Sequence, residues 1–310
     1  MLKVLGAFHL THMVIDLGST IDLYKSIFDP LIIPPSFHQG ENRDASFMYI
    51  GDLYVELYAS RDASLPNGSS NGAKHIRRFG EGFANFGWTI SDKPRDAIAF
   101  CESKGYSPVY LAGSDPNREP GAFFLHPRTT FGIMLELAQA GTHRQDPRAD
   151  PAWNKRWADH PLGIQRLNCI SYNVRDLRSA SMLLSELADV VAFHDGRAPD
   201  DCKDSVYFWA KDHVVELMTP SKDSTELASS LVHEGPKIHS ATFKVKDVGR
   251  ASAYLRGLNV GTIGNPGAGT IMLNPSLLKG AKYFLTEKAV PNDPRDAGVR
   301  TGVAAETRLK

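Results

Sequence analysis

HLTHMVID (9–16), NFGWTISD (85–92), CISYNVRD (169–176) and SATFKVKD (240–247) are four versions of one segment, a strand-like alternation that ends in Asp. Each is followed by a stretch with helical spacing: LGSTIDLYKSIFD, KPRDAIAFCESKG, LRSASMLLSELAD and VGRASAYLRGLN. Asp at the end of the strand suits a helix N-cap, because its carboxylate can accept from the first unpaired backbone N–H groups. One such Asp means little, but four in register mark an internal repeat.

Further strand candidates come after each helix. They are ASFMYI and LYVELY, then GAFFLH and GIMLEL, then SVYFWA and HVVELM, and finally TIMLN and AKYFLT. Gly51-Asp52 and Lys211-Asp212 are turn signals between them, and the strands are rich in aromatic and β-branched residues. Each unit therefore reads β-α-β-β-β, and the chain is an α+β protein of four such modules. The segment 141–163 is rich in Pro, charge and turn formers and reads as the domain linker, with Trp153 and Trp157 packing a short helix. The division is 1–140, the linker 141–163, 164–287, and a tail 288–310 without apolar period that reads as an extended or disordered arm.

Composition removes several classes of function. The 310 residues carry 35 Lys and Arg against 35 Asp and Glu, without a long run of either sign, so the electrostatic footprint of a nucleic-acid binder is missing. Cys101, Cys169 and Cys202 are odd in number and form no C-x-x-C, which argues against a disulfide framework or zinc knuckle. The N-terminal MLKVLGAFHLTH lacks a long apolar stretch, and no run approaches membrane-spanning length. The expectation is a cytoplasmic protein that acts on a small molecule, without nucleic-acid or membrane partners.

Strand alternation sorts the side chains into two faces. In the first strands, Leu10 with Val14, Phe86 with Trp88, Ile170 with Tyr172, and Ala241 with Phe243 form an apolar face suited to each unit's own helix. The other face is polar in every copy: His9 and Thr11, Asn85, Cys169 and Ser171, Ser240 and Thr242. In the last strands Glu56, Glu136 and Glu216 take the face opposite the apolar one, Tyr54 and Tyr58 flank Glu56, and the fourth copy aligns Phe284 through an uncertain loop. A sheet with helices on one face and polar groups on the other is expected to curl around a ligand cleft, most simply by pairing adjacent modules.

These residues resemble the vicinal oxygen chelate superfamily, which includes glyoxalase I, methylmalonyl-CoA epimerase, extradiol dioxygenases and bleomycin-resistance proteins. HLTHMVIDLGSTIDLYKSIFD is similar to that superfamily's opening strand and helix, and FGEGFANFGWTISD with GAFFLHPRTTFGIMLELAQA is similar to the second half of epimerase-type sequences. The resemblance covers nearly the whole chain except linker and tail. It implies two tandem glyoxalase-like half-barrel domains and allows a homodimer. It also implies a divalent metal held by His9, Glu56 and Glu136, with Asn85, where epimerase-type sequences carry His, as weak fourth ligand or substrate contact beside Thr11, Tyr54 and Tyr58.

One imidazole with two carboxylates makes a hard, anionic donor set, so Mn²⁺, Mg²⁺, Co²⁺ or Fe²⁺ compete better with Zn²⁺ there. The implied chemistry is that of a metal-dependent isomerase, epimerase or lyase, in which Glu136 or Glu56 moves a proton next to a metal-chelated carbonyl or carboxylate. The alternatives are an Fe²⁺ extradiol-type dioxygenase, with His12 or His38 as a further imidazole, and a non-catalytic binding or resistance protein. Cys169, Glu216, Ser240 and Phe284 form a poor divalent site, so the C-terminal domain reads as a degenerate duplicate that braces the first or covers its cleft. His12 by its odd spacing, and His126 before Pro127, read as structural. Gly264-Asn-Pro-Gly267 reads as a turn rather than a phosphate loop, and no G-x-S-x-G elbow is present.

Overall fold

The alternation in HLTHMV becomes part of β1 (Val4–Val14), and Asp16 caps α1 (Leu17–Phe28) by accepting from Ser19 N. The first module continues as β2 (Leu31–His38), β3 (Arg43–Ile50) and β4 (Leu53–Ser60), followed by α2 (Asn71–Phe79). The second module is β5 (Gly82–Ile90), α3 (Pro94–Ser103), β6 (Pro108–Val109), β7 (Ala122–Leu125) and β8 (Leu135–Gln139). A linker helix, α4 (Pro151–Asp159), precedes β9 (Ile164–Asn173), α5 (Leu177–Leu187), β10 (Val191–Ala198), β11 (Lys203–Ala210) and β12 (His213–Pro220). After α6 (Glu226–His233) come β13 (Lys237–Val245), α7 (Val248–Gly257), β14 (Thr262–Ile263), β15 (Thr270–Leu273) and β16 (Tyr283–Thr286). The computed structural model describes residues 1–110, 119–141, 146–198, 203–222 and 225–297. Cys202, residues 142–145 of the linker and residues 298–310 of the tail lie outside them.

Adjacent modules pair. The two eight-stranded sheets run β2-β3-β4-β1-β5-β8-β7-β6 and β10-β11-β12-β9-β13-β16-β15-β14, neither closed into a barrel. In both, the first strands of two modules lie side by side and antiparallel, β1 on β5 and β9 on β13. These are two tandem glyoxalase-like α+β domains. No helix among the described residues is long and apolar enough to cross a membrane.

Three of the four expected Asp caps are present, since Asp176 accepts from Ser179 N and Asp247 from Arg250 N as Asp16 does from Ser19 N. Asp92 is the exception. Lys93-Pro94 moves the helix start one residue on, so Lys93 takes the cap position and Asp92 accepts from Lys3 N at 2.7 Å instead.

The apolar strand faces do more than cover their own helices. Phe86 and Trp88 of the first domain share one hydrophobic cluster with Tyr172, Leu184 and Leu217 of the second. Trp88 Nε1 donates to His213 Nε2 at 3.0 Å, and His213 Nδ1 in turn lies 2.7 Å from Asp212 Oδ1, which also accepts from Ala7 N. A Cβ on Gly6 would stand 2.7 Å from Asp212 Oδ2, so glycine is what lets this carboxylate reach β1. The linker helix adds a clamp: Trp153 Nε1 donates to Gly51 O at 2.7 Å, and Trp157 is buried.

The start of the tail has no helix or strand, yet it is not a loose arm. Arg295 donates to the Leu167, Asn168 and Asp212 carbonyls, Asp293 is buried against it, and Val290 packs with Cys169 and Val214. Arg295 thus staples the start of the tail to backbone oxygens of the second domain.

Candidate metal centre

A β-bulge places the central imidazole. Between Ala7 and Leu10 the pairing of β1 with β5 shifts by one residue, and His9 sits in the irregularity; such bulges re-aim side chains. The parallel partners then bring the carboxylates in, with Thr11 opposite Glu56 on β4 and Gly87 of β5 opposite Glu136 on β8. His9 Nε2 lies 3.4 Å from Glu56 Oε2 and 2.9 Å from Glu136 Oε2. His9, Glu56 and Glu136 are only 5, 4 and 4 % exposed, so their charges must be balanced inside the protein.

Two groups hold Glu56. Thr11 Oγ1 donates to its Oε2 at 2.9 Å, and Arg43 Nη1 donates to its Oε1 while Arg43 Nε reaches Glu41 at 2.7 Å. Glu136 Oε2 accepts from Asn85 Nδ2 at 3.0 Å. Position 87, the equivalent of Thr11, is crowded: a Cβ on Gly87 would meet Phe8 at 3.0 Å and Glu136 at 3.2 Å, so a side chain there would need those neighbours to shift. Burial opposes ionisation of Glu56, but His9 and Arg43 outweigh it and lower its pKa. Burial likewise opposes a charge on His9, and the charges of Glu136 and then Glu56 raise its pKa nonetheless.

Aromatic rings form the wall. Phe8 lies 4.4 Å from the His9 ring, Tyr54 at 6.4 Å, and Tyr54 stacks on Tyr49 at 4.2 Å. Tyr58 carries the Arg43 guanidinium 4.6 Å above its ring. Burial raises the hydroxyl pKa of both Tyr54 and Tyr58, which keeps them protonated as hydrogen-bond donors.

The donor set fits a divalent ion, though not as a finished cage. Among the described residues neither ring nitrogen of His9 meets a partner in hydrogen-bond geometry, although Glu136 Oε2 lies 2.9 Å from Nε2. Two ligand atoms bound at about 2.1 Å to one ion stand roughly 3.0–3.4 Å apart, which matches this spacing. Against this, among the described residues no group of three His, Cys, Asp or Glu side chains is arranged as a ready metal site. Arg43, Thr11 and Asn85 already donate to oxygens that an ion would share.

His12 is on the other face of β1. Its Nδ1 lies 2.9 Å from Tyr24 OH and its Nε2 3.0 Å from Lys279 O, far from the carboxylates in chemistry and direction. His38 lies 3.1 Å from Ser36 Oγ on the edge strand β2, and His126 Nδ1 accepts from Arg128 N in a turn. Arg43 was not legible as a site residue, although one signal existed. Arg43 and Lys203 both precede their glutamates by 13 residues, and Thr11 and Ser171 both precede them by 45.

The aligned positions of the second domain, Cys169, Glu216, Ser240 and Phe284, line a single cavity. The pairing of Thr242 with Phe284 is the equivalent of Thr11 with Glu56, which settles the register that the loop obscured. The second domain is therefore not only a brace, since its concave side forms a space of its own.

No protein-family model matches the chain. No curated protein matches it either. Among solved structures, a mutant 4-hydroxymandelate synthase from Streptomyces coelicolor is similar over 100 % of both chains, with TM-score 0.67 and 12 % identity. The 2,3-dioxygenase LapB from Pseudomonas sp. KL28 is similar over 95 % of this chain and 96 % of its own, with TM-score 0.57 and 14 % identity. A xylose isomerase-like TIM barrel/4-hydroxyphenylpyruvate dioxygenase fusion protein covers 99 % of this chain with 53 % of its own, at TM-score 0.58 and 14 % identity. At such identities the likeness concerns the fold.

Proposed function

We propose that this chain, which has the tandem fold of the vicinal oxygen chelate superfamily, is a metal-dependent isomerase, epimerase or lyase acting on a small organic carbonyl or carboxylate compound. The observation that carries this reading is the approach of one buried imidazole nitrogen, otherwise unpartnered, to two carboxylates. His9 Nε2, Glu56 and Glu136 would hold the ion. Bound there, a divalent cation supplies Lewis-acid stabilisation of negative charge developing on a substrate oxygen.

The two carboxylates differ in freedom. Glu56 is held at one oxygen by Thr11 and at the other by Arg43, and its pKa is lowered, so it stays ionised and fixed. Among the described residues Glu136 meets only Asn85 and His9, both at Oε2, and no cation holds its other oxygen, which suits a group that must move a proton to and from a substrate carbon. Asn85 thereby orients Glu136, and Tyr54 and Phe47 shut water from the imidazole side. The single imidazole supports this reading over oxygen activation, for which two histidines and one carboxylate are the usual set.

The test is solvent-deuterium incorporation, followed by proton NMR, into a panel of small 2-oxo acids, hydroxyketones and 2-methyl dicarboxylates. Metal-stripped protein supplied with Mg²⁺, Zn²⁺, Mn²⁺ or Co²⁺ should exchange a proton next to a carbonyl of at least one compound, and Glu136→Gln should not. Oxygen uptake with an aromatic diol, without proton exchange, would move the assignment to the dioxygenase reading.

A further inference from the structure

The concave side of the second sheet encloses a cavity of about 640 Å³, within the range of small-molecule sites. Its floor is built around a buried ion pair. Glu216 is 3 % exposed, and its Oε1 accepts from Lys203 Nζ at 2.6 Å, Tyr207 OH at 2.7 Å and Ser205 Oγ at 2.9 Å. Its Oε2 accepts from Ser171 Oγ at 2.5 Å. Burial works against the carboxylate charge, but Lys203 and the hydroxyls hold its pKa down, so the pair stays ionised and contributes no net charge.

Apart from that pair, the buried titratable groups facing the cavity, His239 and Cys169, are neutral. Burial, with Lys282 nearby, lowers the His239 pKa to about 4, and its Nδ1 lies 3.2 Å from Ser240 Oγ. Burial and the Glu216 charge push the Cys169 thiol up to about 12. Lys288 and the ion pair of Glu226 with Lys282 stand at the solvent-exposed rim. On the buried floor, inside the Lys288 rim, a charged ligand would lose hydration without meeting an uncompensated counter-charge, which is costly.

What remains for a ligand is an apolar wall with neutral polar anchors. Phe284, Met218, Leu227 and Val290 supply the first. Thr242 and Ser240 supply hydroxyls, and Asn168, itself 4 % exposed, leaves its Oδ1 without a hydrogen-bond partner. With its Nδ2 turned to Lys288 O, the Asn168 amide is an orphan acceptor beside the cavity, which a small turn of the side chain would offer to a donor from outside the chain. With Cys169, Ser240 and Phe284 in place of the His9, Asn85 and Glu136 donors, this space cannot repeat the metal chemistry of the first domain.

We propose that the cavity of the second domain is a separate, metal-independent binding site for an uncharged small molecule with a hydroxyl donor on a compact apolar body, of the phenol or cyclic-alcohol class. The site is independent of the His9 centre, so either can fail without the other.

Fluorine NMR of the full chain tests it, with 4-fluorophenol, 4-fluorobenzoate and 4-fluorobenzylamine as neutral, anionic and cationic probes. The neutral probe should bind saturably, with an affinity unchanged by EDTA and by Glu136→Gln, and roughly tenfold tighter than either charged probe. Thr242→Trp, which fills the space from β13, and Leu227→Trp, which fills it from α6, should each weaken the neutral probe about tenfold or more. The proposal is overturned by no saturable binding, by equal or tighter binding of a charged probe, by loss on EDTA treatment or in Glu136→Gln, or by indifference to both tryptophan variants.

Discussion

The two domains hold a buried glutamate in the same way and differ in everything around it. Positions 9, 11, 43 and 56 recur at 169, 171, 203 and 216, each 160 residues further on (169 − 9, 216 − 56). Thr11 and Ser171 donate to the glutamate from the parallel strand, and Arg43 and Lys203 neutralise it from the antiparallel one. A hydroxyl and a cation are therefore the means by which both sheets bury the glutamate of their first module. What sets the first domain apart is His9 for Cys169 and, from the neighbouring module, Glu136 for Phe284. The comparison separates scaffold from chemistry: Glu56 and Glu216 belong to both, and only Glu136 with His9 makes a second carboxylate meet an imidazole.

The largest effect is expected at that distinguishing pair. Glu136→Gln should reduce metal-dependent proton exchange by roughly a thousandfold or more, because it removes both a ligand charge and the base. Glu216→Gln, at the counterpart of Glu56, should leave exchange within about threefold of the parent, since the proposed chemistry uses no residue of the second cavity. Equal losses in the two variants would erase the distinction.

The shared feature can be broken separately. Arg43→Met strands Glu56 in a site only 4 % exposed and should cost about 3 kcal/mol in urea unfolding of the metal-free protein. Lys203→Met should cost less, because the Lys203 side chain is 26 % exposed against 9 % for Arg43. A larger loss from the lysine would mean that burial does not set the strength of these pairs.

A smaller effect distinguishes the two faces of β1. Burial lowers the His12 pKa to about 4, with the hydrogen bond to Lys279 O opposing, whereas the carboxylates raise that of His9. For His12 the unfolded chain binds the proton first, so its stabilising share is complete above about pH 6.5 and is lost as pH falls toward 4. His9 acts with the opposite sign: its share is complete below about 6.5 and is lost as pH rises through its folded value. His12→Gln should therefore remove roughly 2 kcal/mol of the stability lost between pH 6.5 and 5, measured by urea unfolding at each pH. An unchanged pH slope would show that His12 is not held neutral in the folded chain.

Much of this architecture was legible because the repeat is carried by short-range signals. Asp caps, turn residues and period-two alternation act within a few residues; the alternation survives in all four modules and the Asp cap in three. Lys93-Pro94 defeated one cap prediction through an equally local rule, the start of a helix at proline. Non-local features were harder to read. Arg43 and Lys203 look like ordinary strand-edge cations until β3 and β11 pair with the glutamate strands, and only their identical interval hints at a shared task. The packing of Phe86 and Trp88 on the second domain, and the use of Arg295 to hold backbone carbonyls, depend on how the two sheets meet. The register of Phe284 needed the β13 to β16 pairing, and with it came the cavity that a reading of four poor metal ligands had passed over.

The central claim is that a divalent ion belongs to the first domain and not to the second. Elemental analysis after equilibration with Mn²⁺ or Co²⁺ and gel filtration tests it directly, on the parent chain and on Glu136→Gln and Glu216→Gln. The account predicts one ion per chain in the parent and in Glu216→Gln and none in Glu136→Gln, with circular dichroism unchanged throughout. A parent chain that retains no ion, or loss of the ion in Glu216→Gln with retention in Glu136→Gln, would contradict it.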